Sequence, residues 1–488
     1  MVTMQSPQSS PLGEASDELL ETFLTKKNST TSCSWYIYLY TLVVCMSGFA
    51  GGYTVGNIGP TILYIPKVIA LSTFETTLVV SMVLIGALAG TLLSGAMSDR
   101  LGRRAVILIS GLFGVASAIL LTFAESTREL IIGRFLAGVA VGAASVASGL
   151  FLAETSPASI RGRLQGYGNL SGWVGGIVAH LVGFGAIYVA PAATSWRLIF
   201  AIGGLYYIPA LLLTVTFLPE SPRWLMSQRR DDEALRLLYR IHGPCGKDQV
   251  AEEYRCMQKG INLEGPNSSG IKELLRPEYS WPLFLSFALQ VLQQFSGNNM
   301  ISFYSSIILH DLGFGREASV LVAGLCIIPQ ALIIWLIVHA LDKIGRRIPL
   351  LVSMVGSGLS LIVMASVVQN PAAGNGCSSS ASLNMWLSLA GILLNRVFFS
   401  IGLGPLPTVV AAEILPFRIR GKGLAAAIGM GEVCKIISVT AFLPLTQAIS
   451  PSYLYGGLAV GMFAGFASMV GCLYETKGSQ LDTQQVPP

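Results

Sequence analysis

Twelve long apolar stretches constrain this chain more than any other feature of it. They fall at roughly 36–63, 75–97, 105–124, 129–153, 164–188 and 198–218, then at 281–309, 318–340, 348–368, 383–415, 424–447 and 453–474. An α-helix needs about 20 such residues to cross the hydrocarbon of a bilayer. Backbone polar groups find no water there, so each stretch must close its own hydrogen bonds as a helix. Only 12% of the residues are charged and the mean hydropathy is +0.63; a soluble chain carries about twice that charge fraction. A charged segment, 219–280, divides the stretches six and six. The expected fold is an all-α membrane protein, with twelve transmembrane helices in two six-helix bundles and a small cytoplasmic helical insert. The expected division is a disordered cytoplasmic N-terminus over 1–34, a first bundle over 35–218, the insert over 219–280, a second bundle over 281–474 and a cytoplasmic tail over 475–488.

Loop charges set the orientation. If the termini, the insert and every second loop share one side, that side holds 24 of the 31 lysines and arginines. The exceptions are Lys67, Arg128, Arg197 and Arg316 opposite, and Arg134, Arg396 and Lys435 within spans. The positive-inside rule then puts both termini and the insert in the cytoplasm. Residues 1–34 lack a signal-peptide pattern. The eight cysteines are scattered with no C-x-x-C pair, so neither a disulfide framework nor a metal site is expected. No cofactor is implied. No nucleophile–base set or Walker loop points to an enzyme, and nothing points to nucleic acid. The expected partners are the lipid bilayer and a small solute.

The two halves echo each other. Asp99-Arg100-Leu101-Gly102-Arg103-Arg104 closes the second span, and Asp342-Lys343-Ile344-Gly345-Arg346-Arg347 closes the eighth. Glu154 stands seven residues before Arg161, and Glu413 seven before Arg420. Gly133-Arg134 in the fourth span matches Asn395-Arg396 in the tenth. A parallel repeat of six-span halves marks a transporter with its site between them. Arginines beside carboxylates form strong forked contacts. The expectation is that Arg100, Arg103 and Arg104 meet Glu154, and Arg346 and Arg347 meet Glu413, when the halves close on the cytoplasmic side. Together they would act as a latch.

The seventh span carries Gln290, Gln293, Gln294, Asn298 and Asn299 in an otherwise apolar run. An unpaired amide in hydrocarbon costs a few kcal/mol, so these groups face protein, water or a ligand. None is charged, which suits a neutral, hydroxyl-rich ligand. Interhelical hydrogen bonding is the alternative use of the same groups. Gln293 and Asn299 are about 240° apart on an ideal helix. They converge only if the helix breaks, and Ser296-Gly297 is the expected break.

These motifs, in this order, resemble the sugar porters of the major facilitator superfamily over about residues 36–478. The matching stretches include D-R-L-G-R-R at 99–104, R-F-L-A-G at 134–138, E-T-S-P-A-S-I-R-G at 154–162 and P-E-S-P-R-W at 219–224. They continue with Q-Q-F-S-G-N-N at 293–299, D-K-I-G-R-R at 342–347, G-L-G-P-L-P at 402–407, A-E-I-L-P at 412–416 and E-T-K-G at 475–478. The resemblance implies that Gln293, Gln294 and Asn299 hold sugar hydroxyls, with Gln330 as a further polar ligand. Asn169, Thr408 and Tyr304 complete the substrate set. It also implies that Glu220 and Arg223 join the cytoplasmic charge network with Asp99, Asp342, Arg161 and Arg420.

The chain departs from the family at four positions. Asn169 stands for the usual glutamine, Thr408 and Glu432 for tryptophans, and Ser400 for a glutamate. Two aromatic platforms are thereby lost. Glu432 and Lys435, three residues apart, form a buried ion pair or serve proton coupling or an anionic substrate, with Arg396 at similar depth. His180 reads as an interfacial residue. Symporters of the family carry an aspartate after Gly-Tyr in the first span; here the run is Gly52-Tyr53-Thr54. The expected function is facilitated diffusion of a glucose-like hexose across the plasma membrane. Proton symport, or carriage of a polyol or charged organic solute, are the alternatives.

Overall fold

The computed structural model describes residues 35–157, 160–242, 250–258 except 252 and 256, 276–367, 379–415 and 419–473. The first half comprises Trp35–Gly56 continued by Ile58–Ile62, then Thr73–Leu101, Arg103–Thr122, Thr127–Thr155, Arg161–Val189 and Ala192–Phe217. The second comprises Ser280–Phe295 with Asn298–Asp311, Arg316–Leu325 with Ile327–Ile344, Arg347–Val367, Ser379–Ile401 with Leu406–Ile414, Arg420–Ala448 and Pro451–Cys472. Eleven helical stretches among the described residues are long and apolar enough to cross a membrane. The remaining one, the seventh, is split at Gly297 into helices of 16 and 14 residues. Its two parts together supply the twelfth crossing.

Local chemistry sets the helix ends. Ser72 and Ser126 each accept a hydrogen bond from the backbone of a glutamate three residues on, and Glu75 and Glu129 reach back to the cap backbone. These reciprocal boxes satisfy backbone donors that the first turn leaves open. Gly297 has φ +71°, the left-handed conformation that side-chain-bearing residues avoid, so the break falls where the Ser-Gly pair predicts it.

Small residues let spans approach closely. A Cβ on Gly138 would collide with the Val83 carbonyl, and one on Gly86 with the Phe135 carbonyl, which seats the fourth span against the second. Leu92, Leu112, Leu212 and Val460 point outward and stay exposed. In water such a belt would aggregate; in lipid it is already solvated.

In the insert, Asp231–His242 is amphipathic. Ala234, Leu235, Leu238 and Ile241 fall on one face and are buried in a cluster with Ile37, Tyr40 and Leu218. The helix is thereby docked beneath the first bundle, and Arg240 lies over the Tyr36 ring at 5.4 Å. The N-terminus, the tail, most of 243–275 and Cys377 lie outside the described residues.

Candidate functional site: a cavity between the two halves

A cavity of about 930 Å³ lies between the halves. Its walls run from Val44, Leu152, Gln165 and Leu424, near the span ends on the insert side, to His180 and Ile327 deeper in. At the opposite end the halves touch: Gln447 Nε2 donates to Thr73 Oγ1 at 2.9 Å, and the Tyr188 hydroxyl donates to Glu317 at 3.1 Å. The cavity therefore opens toward the insert.

The fifth span supplies one wall as a stripe. Gln165, Asn169, Trp173 and His180 all line the cavity, the first three at successive four-residue steps. That spacing keeps them on one helical face. Of these, only Asn169 is among the substrate residues expected from sequence. Trp173 restores an aromatic surface where the sequence reading finds the platforms lost. The signal for it is its register with Asn169. His180 is not interfacial: it is 3% exposed, its Nδ1 pairs with the Gly176 carbonyl at 2.9 Å, and its Nε2 has no partner. Thr408, also expected, lines the facing wall with Ser302 and Arg396.

The seventh-span amides bond to one another and to the tenth span. The turn at Gly297 folds Asn299 back over Gln294, and Asn299 Nδ2 donates to Gln294 Oε1 at 2.7 Å. Gln294 Nε2 donates to Gln293 Oε1 at 3.4 Å, and Gln293 Nε2 to the Leu403 and Gly404 carbonyls at 2.7 and 3.2 Å. In this conformation the chain of amides ties the seventh span to the turn of the tenth. Gln290 reaches Thr408 at 3.5 Å. Tyr304 is fully buried away from the opening, donating to the Val439 carbonyl at 3.1 Å and stacked on Phe442.

The matched arginines differ. Arg134 donates to the Val79 and Thr54 carbonyls and to Asn57 Oδ1 at 3.0–3.3 Å, pinning the fourth span to the first and second. Arg396 is 1% exposed and donates through Nη1 to Gln330 Oε1 at 3.0 Å. Lys435 pairs with Glu432 at 2.6 Å; Arg396 is held by Gln330 instead.

The charge clusters brace each half internally. Arg103 pairs with Glu154 at 2.8 Å and, more distantly, with the exposed Asp99 at 3.5 Å. Glu154 also accepts the Ser221 hydroxyl, and Glu220 caps the third span by accepting the backbone N–H groups of Arg103 and Arg104. In the second half Arg346 pairs with Glu413 at 3.1 Å. Arg104 donates to the Val215 carbonyl and Arg347 to that of Val470, the same contact repeated. Arg100 is exposed, and Arg223 is half-buried on the short helix Pro222–Ser227. The side chains of Arg161, Asp342 and Arg420 lie outside the described residues. The Arg103–Glu154 and Arg346–Glu413 pairs each join helices of one half and are formed while the cavity is open at their own end. In this conformation each pair braces its own half.

Comparison with known proteins agrees with this architecture. The family described as "Sugar (and other) transporter" matches residues 21–486. The chain is 30% identical to a glucose transporter, GlcP, of Staphylococcus epidermidis, over 91% of its own length and 96% of the relative's. It is 30% identical to a D-xylose transporter of Levilactobacillus brevis, over 90% and 92%. The fold is similar to the inward-open conformation of the xylose transporter XylE from E. coli, with TM-score 0.75, 22% identity and coverage of 91% and 98%. The chain belongs to the sugar porter family of the major facilitator superfamily. It is a multi-pass membrane transporter and not an enzyme.

Proposed function

We propose that this transporter moves a hexose-type sugar across the plasma membrane by facilitated diffusion, with its termini and insert cytoplasmic and the cavity as its binding site. The observation that carries the reading is the cavity itself. It lies between the halves, is closed at one end, is within the size range of small-molecule pockets, and presents Gln165, Asn169 and Thr408 beside Trp173. Neutral donors and acceptors next to an aromatic face suit a polyhydroxylated ring. Relatives named for glucose and for xylose transport fit that class of solute.

Uniport is supported by the first span, where no carboxylate occurs between Tyr36 and Leu63. Thr54 stands at the position of interest; its hydroxyl bonds the Ala50 carbonyl at 2.8 Å and lies 3.0 Å from the Tyr207 hydroxyl. Proton symport through Glu432 is the second reading, and its tight pairing with Lys435 weighs against it. Sugar uptake into proteoliposomes, with and without an imposed pH gradient and with an internal pH dye, tests the proposal. The expected result is equilibration with no matching proton entry. Gradient-driven accumulation above equilibrium overturns uniport.

A further inference from the structure

We propose that the cavity prefers a sugar bearing a carboxylate, a hexuronate, and that Arg396 binds the carboxylate. The inference rests on the cavity being the transport site. Arg396 is the one charged residue among the described residues that line the cavity, and no aspartate or glutamate lines it. Its guanidinium donates to the neutral Gln330 Oε1, and its Nε has no partner. Gln330 Nε2, on the same residue that holds the guanidinium, is likewise unpartnered.

The matched arginine of the first half shows what a purely structural role looks like. Arg134 has two backbone carbonyls and an asparagine oxygen around it and does not line the cavity. The repeat thus places two arginines at matched positions; one is held by three acceptors of the scaffold, with only its Nη2 left without a partner, and the other, held by a single acceptor, lines the cavity. A buried cation held by one neutral acceptor is poorly compensated. Glu432, on the eleventh span, is already taken by Lys435 at 2.6 Å, so that pair adds no net negative charge. A planar carboxylate matches the guanidinium fork and supplies the missing charge. Gln165, Asn169 and Trp173 on the facing wall remain available for the ring and its hydroxyls.

The test uses the full-length protein in proteoliposomes. Uptake of labelled D-glucose is measured against unlabelled D-glucuronate and against D-glucuronamide, which has the same shape without the charge. Glucuronate is expected to compete about tenfold or more better than the amide, the scale of one charge-assisted contact. Labelled glucuronate uptake should also respond to an imposed membrane potential, while glucose uptake should not. Arg396→Gln should erase the difference between acid and amide, and Arg396→Lys should keep part of it. Equal competition by acid and amide in the wild-type protein overturns the inference whether or not the variants fold, and leaves the hexose reading standing. If glucose, acid and amide all fail to enter or compete, the transport-site reading fails and the inference falls with it.

Discussion

Arg103 Nη2 lies 2.8 Å from Glu154 Oε1 with both side chains less than a tenth exposed, while Leu152 and Ala153, just before Glu154, line the open end of the cavity. The pair is complete in a conformation open on its own side. It holds the turn after the second span to the end of the fourth, and the Ser221 hydroxyl ties the start of the insert to the same carboxylate.

Glu154→Gln is therefore expected to destabilise the first half without opening the carrier. Breaking one side of a buried pair costs about 3 kcal/mol or more. Arg100→Ala, at an exposed position, should stay within about 0.5 kcal/mol. Thermal unfolding of the purified protein measures the first effect. Thiol labelling of a single cysteine introduced into the cavity measures the second, and should not change in either variant. Increased labelling with unchanged stability would restore the latch.

Substrate affinity should follow the fifth span more than the seventh. Trp173→Ala is expected to weaken sugar binding several-fold, about 0.5–1.5 kcal/mol for a lost aromatic face. Asn169→Ala should cost about 2- to 12-fold, one neutral hydrogen bond. Gln293→Ala breaks contacts to the Leu403 and Gly404 carbonyls. It should lower the unfolding midpoint, at about 1 kcal/mol per bond, and shift KM less than Trp173→Ala does. Inhibition constants and melting curves on the same preparations separate the two. A large loss of affinity in Gln293→Ala with normal melting would put that amide on the sugar.

Gly297→Ala should slow transport. The residue sits at φ +71°, and an added Cβ would also lie 3.3 Å from the Leu361 side chain. The left-handed conformation costs a side-chain-bearing residue about 1–2 kcal/mol. Gly297→Asn should be milder, because asparagine tolerates that region better. The maximal exchange rate at saturating sugar is the measurement; equal rates for glycine, asparagine and alanine would show that the break is not strained.

The sequence makes the spans legible because crossing a bilayer leaves a long apolar run, and the break at Gly297 because Ser-Gly interrupts one between amides. Asn169 and Thr408 are picked out by their place in the family's motifs rather than by local polarity, and both line the cavity. Trp173 does not stand out, since an aromatic residue in a membrane span reads equally as core or lipid-facing. Only its register with Asn169 and Gln165 gives it away. What Arg134 and Arg396 touch is invisible in sequence: the two matched residues differ through tertiary partners far along the chain, Thr54 and Val79 for one, Gln330 for the other. That Glu154 and Glu413 pair with arginines of their own half is hidden for the same reason. Charge motifs show that arginine meets carboxylate, but not at which stage of a cycle.

The interruption at Gly297 also makes the seventh span two levers on one pivot. The stem nearer the insert is anchored through Gln293 to the turn of the tenth span. The far arm, Asn298–Asp311, carries Tyr304, which rests on Val439 and Phe442 of the eleventh. No continuous ladder of helical hydrogen bonds transmits a tilt from one arm to the other. Across the break the two arms are joined by a side-chain contact, Asn299 Nδ2 to Gln294 Oε1, in place of the helical ladder.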